Sequence, residues 1–350
     1  MNKERYLYIV VLLAHFLLLP SKSLLMAQSS KSAVDITRYL PQNYRQDGTV
    51  DYTSYIQKGL DENRYVKMPN FPILINENGL KIKSNSEIYF QRKSKLIMAP
   101  NHRDAYAMLW LVNVRNVKIH SPHLIGDRFS HKGAKGEWGM GIHITQSDDI
   151  YISNAIISNC WGDGIYIGGG TTPCVRVKIE KAKIGNSRRN GISITNGKSI
   201  TISNSVITNT NGTPPMAAID IEPNKPSNVI DDINIKDVET KNNKKYGVLI
   251  ELNPLIQASN KVKITIDGHK DSGSATALAI AEFRGNLKNR YQLNGEILIL
   301  NSVWEDNIEE PYQIGEFRLG PRTRIENYKI IKNNRLQRHT PKIIIRNENR

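Results

Sequence analysis

The chain has 350 residues, and its 48 Lys and Arg against 33 Asp and Glu give a formal net charge of +15. A mean hydropathy of −0.44 is typical of a chain whose surface is mostly wet, which excludes a bundle of membrane helices. The two cysteines are too few for a disulfide framework and have no His or Cys partners at zinc spacing, which excludes a disulfide-rich or zinc-finger domain.

Residues 1–27 are predicted to be an export signal. Two basic residues precede an apolar run that ends at Pro20 and is short for a membrane span, and Ala27 provides a small residue for cleavage. An uncleaved anchor is the alternative, because Leu25 stands where cleavage prefers a small side chain. We therefore expect a periplasmic or secreted protein with no membrane span once the signal is removed.

The segment 47–64 has the pattern of a short amphipathic helix. Apolar residues such as Ile56 and Leu60 recur at helical spacing after Asp51, whose carboxylate can cap a helix N-terminus. The end of a stack of strands exposes unpaired backbone groups and has to be covered. We therefore assign residues 28–75 to an N-terminal cap and a first coil of the strands that follow.

Four short strands rich in isoleucine, GIHI, GIYI, GISI and AIDI, recur in the middle of the chain. Their first isoleucines, Ile142, Ile165, Ile192 and Ile219, are separated by 23, 27 and 27 residues. A period of roughly 20 to 30 residues with one strand at a fixed place predicts a solenoid. A second strand series fills each unit, and no helical pattern lies between the strands. The sequence thus predicts an all-β fold, a parallel β-helix over residues 76–300.

One outward column of side chains follows from strand geometry. In each of the four strands the isoleucines point inward and the residue between them points outward. These outward residues are His143, Tyr166, Ser193 and Asp220, and stacking places them about 4.8 Å apart in a solvent-exposed column that can line a groove. The alternative is a solvated strand face without function. At the corners of the coil we expect left-handed residues at Asn154, Asn159, Asn186, Asn204 and Asn209.

Cys160 and Cys174 fall at different corners of this predicted coil. Buried free thiols are the expected state, and a disulfide, which export permits, is the alternative. Residues 301–350 are predicted to form the last coils or a basic tail, because much of the positive charge lies there.

The basic balance predicts an anionic partner. Removal of residues 1–27 takes away three basic residues and one acidic residue, so the net charge falls from +15 to +13. Outside the cytoplasm, acidic polysaccharides, lipopolysaccharide and DNA are the common polyanions that such a charge attracts. Nucleic acid is the weaker choice, because the chain has no recognised binding module and no aromatic residues set among Lys and Arg.

Several motifs together resemble the pectate-lyase-like superfamily of exported right-handed β-helix proteins. They are YVKMPNFPILIN, GDRFSHKGAKGEWGMGIHI, NCWGDGIYIGGG, NSRRNGISI and NTNGTPPMAAIDIEPN, and the likeness covers roughly residues 34–300. That superfamily includes polysaccharide lyases, family 28 glycosidases and phage tailspike depolymerases. The resemblance therefore implies a right-handed coil and action on a polysaccharide, and it leaves the reaction open.

The family 28 glycosidases carry the motifs NTD, DD and GHG on successive coils, and this chain departs from them. GMG stands in place of NTD, and in GDG only Asp163 matches the acidic pair because Gly162 replaces the first aspartate. In RNG, Asn190 replaces the histidine. The departure puts the inverting mechanism of that family in doubt for this chain.

For β-elimination beside a uronate, an enzyme needs a base, an acid and a cation that neutralises the substrate carboxylate. His143 and Tyr166 are neighbours in the column and can serve as base and acid, although a plain stacked pair is the alternative. Arg188 and Arg189, in the turn before the third repeat strand, can bind the carboxylate through their guanidinium groups.

For hydrolysis, two carboxylates must flank the glycosidic bond. Asp220 and Glu222 are two residues apart on one strand, so their Cα atoms are about 6.8 Å apart on one face, and Asp163 lies two coils away. The same oxygens predict a possible Ca²⁺ site as an alternative, and no other cofactor is required. In a further alternative, Glu222 forms an ion pair with Arg188 or Arg189.

The segment 126–141 interrupts the strand pattern with five glycines and is predicted to be a functional loop. Residues expected to contact a sugar, here and in the neighbouring turns, are Arg128, His131, Glu137, Trp138, Trp161, Arg188, Asn190 and Ser193. The sequence thus predicts an exported β-helix enzyme that cleaves an acidic, uronate-containing polysaccharide by β-elimination. Hydrolysis through Asp163, Asp220 and Glu222, or carbohydrate binding without catalysis, are the alternatives, and the oligomeric state is not predicted.

Overall fold

The computed structural model describes residues 32–258, 260–283, 292–315 and 319–345. The predicted export signal, residues 1–27, lies outside these ranges. Main-chain contacts divide the chain into Met1–Ser32 and Ala33–Arg350, and the architecture below is that of the second unit. Within the described ranges, no helix has the length and apolar character needed to cross a membrane.

Strands dominate the described residues, with one α-helix, α1 (Thr53–Glu62), and two short 3₁₀ helices, Ile36–Tyr39 and Asn253–Gln257. The strands in chain order are β1 (Val34–Asp35), β2 (Tyr65–Lys67), β3 (Pro72–Ile75), β4 (Leu80–Lys81), β5 (Glu87–Tyr89), β6 (Lys95–Met98), β7 (Ala105–Val112), β8 (Arg115–His120), β9 (His123–Ile125), β10 (Trp138–Thr145), β11 (Asp148–Ser153), β12 (Ile156–Ser158), β13 (Ile165–Ile167), β14 (Cys174–Glu180), β15 (Lys183–Gly185), β16 (Ile192–Ile194), β17 (Gly197–Ser203), β18 (Val206–Thr208), β19 (Ala217–Ile221), β20 (Ile230–Lys236), β21 (Glu239–Lys241), β22 (Tyr246–Ile250), β23 (Lys261–Asp267), β24 (Lys270–Ser272), β25 (Thr276–Ile280), β26 (Asn294–Leu300), β27 (Val303–Glu305), β28 (Tyr312–Ile314), β29 (Arg322–Lys332) and β30 (Arg335–Ile345).

Each coil contributes strands to three stacked parallel series. One series forms a nine-stranded sheet in the order β4, β7, β10, β13, β16, β19, β22, β25 and β28. The other two series start at β1 and at β3 and meet at β29. The prediction of an all-β parallel β-helix is confirmed. The coils continue past residue 300 through β27 and β28, and the described C-terminal part then forms an antiparallel hairpin of β29 and β30.

The repeated isoleucines build the interior. Ile142, Ile165, Ile192 and Ile219 are in register on adjacent strands, and each is 0% exposed. Burial of such a side chain contributes roughly 1.5–3 kcal/mol. Because a coil hides these residues only against the coils on either side of it, the stacking of coils is the source of the stability.

The corners of the coil contain asparagines in the left-handed conformation. All five predicted positions, Asn154, Asn159, Asn186, Asn204 and Asn209, have φ between 51° and 59°. A short amide side chain tolerates this region better than most residues. Cys160 and Cys174 are both buried and unpaired, as expected, and burial raises the pKa of each thiol.

Helix α1 packs against the first 3₁₀ helix and β4 at the N-terminal end of the strand stack. The N-cap residue is Tyr52, whose side chain makes no capping hydrogen bond, and the carboxylate of Asp51 just before it accepts the Thr53 N–H at 2.9 Å. Ile56 and Leu60 are buried. Gly59 allows the close approach, because a Cβ there would lie 2.9 Å from side-chain carbons of Ile36.

Candidate active site

The predicted outward column is present on the nine-stranded sheet. Tyr166 is paired in register with His143 on one side and with Ser193 on the other, and Asp220 follows Ser193. The same column extends to Lys81 and Trp110 at its N-terminal end and to Leu249, Ala279 and Gln313 at its C-terminal end. We call this face of the sheet the groove.

The prediction that all four central residues are exposed is wrong for two of them. His143 and Tyr166 are half-buried, whereas Ser193 and Asp220 are 0% exposed. The Asn190 side-chain amide donates to Ser193 Oγ at 3.0 Å and to Asp220 Oδ2 at 2.8 Å. Strand alternation does turn the two residues outward, but the turn before β16 folds over them and shields them from solvent.

Aromatic rings occupy the N-terminal half of the groove. The His143 ring lies 4.9 Å from that of Trp110 and stacks at 5.1 Å on that of Tyr166. The Tyr166 hydroxyl shares a hydrogen bond of 2.9 Å with Thr195 Oγ1. Burial lowers the pKa of His143 to about 4, so the imidazole is neutral at neutral pH, and burial raises the pKa of Tyr166. The pair is therefore a stacked cross-strand pair, with ring atoms that still reach solvent.

Arg189 is surrounded by protein carboxylates. Its Nη1 lies 3.1 Å from Asp163, its Nε 3.4 Å from Glu137 and its Nη2 3.5 Å from Glu222. The side chain of Arg189 is only 14% exposed. Arg189 was predicted to bind a substrate carboxylate, but its guanidinium N–H groups already face protein carboxylates. The alternative prediction, an ion pair between Glu222 and Arg189, is present in the structure.

Asp163 is the buried anchor of this cluster. Its carboxylate accepts the Ser193 hydroxyl at 2.8 Å, the Asn190 N–H at 3.0 Å and Arg189 Nη1 at 3.1 Å. Burial raises the pKa of Asp163, although Arg189 and the hydrogen bonds act in the opposite direction. Asp163 and Asn190 therefore hold the turn before β16 in place and are both 0% exposed, so Asp163 does not face solvent as a catalytic carboxylate would, and Asn190 does not lie where its predicted contact with a sugar requires.

Asp220 is buried beside Glu222. Burial, followed by the charge of Glu222, raises the pKa of Asp220 well above its usual range. Its Oδ2 accepts from Asn190, while its Oδ1 has no hydrogen-bond partner. Both causes disfavour the ionised form of Asp220, so this carboxyl group retains its proton to a higher pH than a solvent-exposed aspartate would.

The loop of residues 126–141 is fixed by arginines that were predicted to bind sugar. Arg128 donates to the carbonyl of Asn186 at 2.8 Å and also to that of Asn211. Arg188 donates to the Gly136 carbonyl at 2.9 Å. These guanidinium groups satisfy backbone carbonyls across three turns, so they position the loop and are not available to a substrate.

Stacked rings form a second support for this loop. The side chain of His131 is fully buried, its Nδ1 lies 2.8 Å from the Asp127 carboxylate, and its ring stacks at 4.0 Å on Trp161. Arg188 lies 3.8 Å from the same indole, so the two faces of Trp161 are both covered. Neither His131 nor Trp161 is a sugar platform, contrary to prediction. Trp138 is 50% exposed and remains accessible.

The loop also explains the departure from the family 28 pattern. A Cβ at Gly162 would lie 2.3 Å from the Glu137 carbonyl oxygen. The loop backbone thus occupies the space where those glycosidases have an aspartate side chain. The Glu137 carboxylate of this loop contacts Arg189, so the loop contributes an acidic side chain to the site from another part of the chain.

A metal site is not apparent in the ranges that the structure describes, because no three His, Cys, Asp or Glu side chains there are arranged to hold an ion. Asp220 and Glu222 remain as the predicted ligands of Ca²⁺. Asp220 is engaged with Asn190, and Glu222 with Arg189. The Ca²⁺ site stays a prediction.

Sequence reasoning missed Glu251. It follows Ile250 as Glu222 follows Ile221, and these isoleucines are in register on β19 and β22. Glu251 lies in a cleft of about 480 Å³ at the C-terminal half of the groove. The recurring pair Ile-Glu at the end of two successive repeat strands was the signal that could have identified it.

Residues 140–273 match a family model described as a right handed beta helix region. The chain is a right-handed parallel β-helix. This β-helix is 33% identical over 135 residues to the SPbeta prophage-derived uncharacterized protein YorA of Bacillus subtilis (strain 168), covering 34% of this chain and 23% of that protein. Its matches span only about a quarter of the length of the curated relatives.

Two solved structures place the β-helix in a wider context. The A-module of the mannuronan C-5 epimerase AlgE6 of Azotobacter vinelandii has a TM-score of 0.59 and 11% identity, with 85% of this chain and 86% of that chain covered. PfbA, a surface adhesin of Streptococcus pneumoniae, has a TM-score of 0.55 and 12% identity, with 87% and 92% covered. At such identities the likeness is one of fold alone. The fold that the resemblance implied, a right-handed β-helix, is confirmed.

Proposed function

We propose that the protein hydrolyses a polysaccharide that lies along the groove, with the carboxylates around Arg189 as acid and base. One observation carries the proposal: Glu137 and Glu222 contact the same guanidinium from different parts of the chain and keep 35% and 36% of their side chains exposed. Glycosidases place two carboxyl groups roughly 5 to 9.5 Å apart across the bond that breaks. The Glu137 and Glu222 oxygens both lie within 3.5 Å of the Arg189 guanidinium, so the distance between them does not exceed the upper end of this range.

The pKa of Asp220 and the exposure of Glu222 are consistent with these roles. The raised pKa of Asp220 favours its protonated form, and Glu222 is the neighbouring carboxyl group that reaches solvent. Glu222 is therefore the proposed general acid toward the leaving oxygen, and Asp220 is a positioning residue that acts through it. Glu137 is the proposed base for the attacking water. Asp163 positions Arg189 between them.

β-Elimination by His143 and Tyr166 is the second candidate. The two rings are adjacent, half-buried and partly accessible, and the imidazole is neutral at neutral pH. The mannuronan epimerase of like fold is named for C5, the carbon that loses its proton in β-elimination of a uronate. This reaction also needs a cation for the substrate carboxylate. The engagement of Arg189 with Asp163, Glu137 and Glu222 makes it the less supported reaction.

A binding role without catalysis is the third candidate, and the adhesin of like fold supports it. In each case we propose that the protein acts in the periplasm or outside the cell, a proposal supported by the predicted signal in residues 1–27. An acidic polysaccharide is the partner that the net charge predicts.

The reaction is tested by incubating the protein with neutral, acidic and amino polysaccharides and measuring both reducing ends and the ultraviolet absorbance of unsaturated ends. We expect reducing ends without unsaturation, and a loss of about 10²-fold or more in Glu137→Gln. Glu239→Gln is the matched control, because Glu239 lies on β21, away from the groove, and pairs with Lys241 at 2.6 Å. Unsaturated products that depend on His143 overturn the proposal in favour of β-elimination. Retained binding with neither product makes the protein a binding module.

A further inference from the structure

The side chain of Arg188 joins the turn before β16 to the loop of residues 126–141. Its Nη1 donates to the Gly136 carbonyl at 2.9 Å, and its guanidinium carbon lies 3.8 Å from the centre of the Trp161 ring. Gly136 directly precedes Glu137, the proposed base. Arg188 therefore holds the main chain one residue before a carboxylate whose place matters for the proposed reaction.

The main chain on the other side of Glu137 is also held. The Trp138 N–H donates to the Asp104 carbonyl at 3.3 Å. The Glu137 carbonyl oxygen lies so close to Gly162 that a Cβ there would be 2.3 Å away. Both of these contacts are made by backbone atoms, whereas the hydrogen bond to Gly136 comes from a side chain. A single substitution of that side chain can therefore release one end of the Glu137 segment and leave the other end in place.

Arg188 is itself held by a stack of side chains that begins in the same loop. His131 stacks at 4.0 Å on the Trp161 ring, and its Nδ1 lies 2.8 Å from the Asp127 carboxylate. Asp127 is 1% exposed and also accepts the Asn101 side-chain amide at 2.9 Å. The indole of Trp161 thus lies between His131, near the start of the loop, and Arg188, which binds near its end. The stack links the two ends of the loop through a ring that does not belong to it.

A guanidinium is suited to this double contact. Its flat face is attracted to the electron-rich face of an indole, while its N–H groups donate in the plane of the group. An ammonium is a compact charge and does not stack in this way. Burial lowers the pKa of Arg188, and the charge of Glu137 acts in the opposite direction, as expected for a carboxylate close to the guanidinium. Arg188 and Glu137 are therefore coupled by charge as well as through the Gly136 peptide.

We infer that Arg188 is a positioning residue for Glu137 in the proposed hydrolysis. By fixing the Gly136 carbonyl while stacked on Trp161, it sets where the Glu137 carboxylate lies. The inference rests on the proposed function, in which Glu137 activates the attacking water. Arg188 acts through Glu137 and does not touch the substrate, unlike the sugar contact predicted from the sequence. Because a displacement of about 1 Å can lower a rate by about 10²-fold, loss of Arg188 should lower kcat and leave KM nearly unchanged.

The test measures reducing-end release and the accessibility of the loop in the same variants. Arg188→Ala should lower kcat by about 10²-fold and change KM by less than about threefold. Arg188→Lys keeps the charge and a donor, and it should recover about tenfold of that loss. Arg176→Ala is the matched control and should change neither constant, because Arg176 lies on β14, away from the groove, and pairs with Asp148. Melting temperatures of all variants are measured to verify that they fold.

Trypsin cleavage after Lys135 reports on the loop without any substrate. Lys135 is exposed, and the bond that trypsin cuts joins it to Gly136. Cleavage requires local release of the backbone, which the hydrogen bond from Arg188 opposes. Arg188→Ala should therefore raise the rate of this cut by about tenfold, and Arg176→Ala should leave it unchanged. Mass spectrometry of the released peptides measures both rates.

Unchanged kcat in Arg188→Ala, or a rise in KM in place of the fall in kcat, overturns the inference. A loss of activity that follows the melting temperature and that Arg188→Lys does not relieve also overturns it. If the unaltered protein releases reducing ends and Arg188→Ala does so equally well, the inference fails and hydrolysis stands. If Arg188→Ala exposes the Lys135 site and no polysaccharide gives a product, hydrolysis fails and the hold of Arg188 on the loop is supported.

Discussion

The two halves of the groove share one backbone plan and differ in chemistry. In the N-terminal half, His143 stacks on Tyr166 and lies against the tilted ring of Trp110, and all three side chains keep partial access to solvent. In the C-terminal half, Asp220 is buried beneath neighbouring turns, and the carboxylates of Glu222 and Glu251 line the edge. Both halves use the same alternation of inward isoleucines and outward residues. The turns and loops beside the strands, more than the strands themselves, therefore determine which side chains of this face reach solvent.

The two halves also differ in the protonation of their buried ionisable groups. Burial keeps His143 neutral in the aromatic half and favours the protonated form of Asp220 in the acidic half. Both effects arise from desolvation, which disfavours the charged form of either group. Their consequences for pH are opposite in sign, since one group loses a positive charge and the other loses a negative one.

The largest expected effect is a difference between the two halves in the rate of polysaccharide hydrolysis. Glu222→Gln removes the proposed general acid and should lower the rate of polysaccharide hydrolysis by about 10²- to 10⁴-fold. His143→Ala should change the same rate by less than about tenfold, because it removes a ring that contacts substrate without transferring a proton. Initial rates of reducing-end release measure both, with Glu239→Gln as control. A reversed ranking would move the chemistry to the aromatic half.

The next largest effect is on the free energy of unfolding, compared between one polar side chain in each half of the groove. Asp163→Ala leaves Arg189, Asn190 and Ser193 without their shared buried acceptor and should lower the free energy of unfolding by about 3–5 kcal/mol. Tyr166→Phe removes one hydroxyl hydrogen bond to Thr195 and should lower it by about 0.5–1.5 kcal/mol. Urea unfolding at neutral pH measures the difference. Equal losses would mean that the carboxylate cluster is not the anchor that its contacts indicate.

The pH dependence of stability should differ in sign between the halves. The pKa of His143 is about 4 in the folded state and about 6.5 when unfolded, so the unfolded state binds more protons between these values. Stability therefore falls as pH drops from 6.5 to 4, by up to about 3 kcal/mol, and His143→Gln should remove this loss. Because the pKa of Asp220 is raised, stability falls instead as pH rises above 3.8.

Asp220→Asn mimics the protonated carboxyl and should remove the loss on the alkaline side. Melting temperatures of the protein and of both variants between pH 4 and pH 8 measure these slopes. The two differences from the unaltered protein should have opposite signs. A common sign would contradict the opposite protonation preferences of the two groups.

The smallest effect concerns the aromatic half as a platform. Trp110→Ala should raise the KM for the polysaccharide by about fivefold to tenfold with kcat nearly unchanged, because a stacked ring contributes about 1 kcal/mol of uniform binding. The matched control is Tyr89→Ala, which removes a ring stacked at 4.7 Å on His120 in another strand series. A fall in kcat instead of a rise in KM would place Trp110 in the chemical step.

Much of the fold was predictable, because it depends on local periodicity. The spacing of Ile142, Ile165, Ile192 and Ile219 predicted the register that the strands adopt, and the corner asparagines predicted left-handed turns. The composition of the site was partly predictable too, since Asp163, Glu222 and Arg189 lie in repeat strands or the turns beside them. Their partners were not predictable in the same way, because a guanidinium reaches several carboxylates and the turn geometry selects among them.

The coil, the inward isoleucines and the outward direction of His143 and Asp220 follow from the amino-acid pattern, because a side-chain period of two residues leaves one choice of face. Only the tertiary structure decided that Asp220 is covered, that Arg189 is neutralised from within and that the C-terminal half of the groove is acidic. The reason is that burial and charge depend on residues brought together across turns. Glu137 and Arg189 are 52 positions apart in the sequence, yet their side chains are 3.4 Å apart.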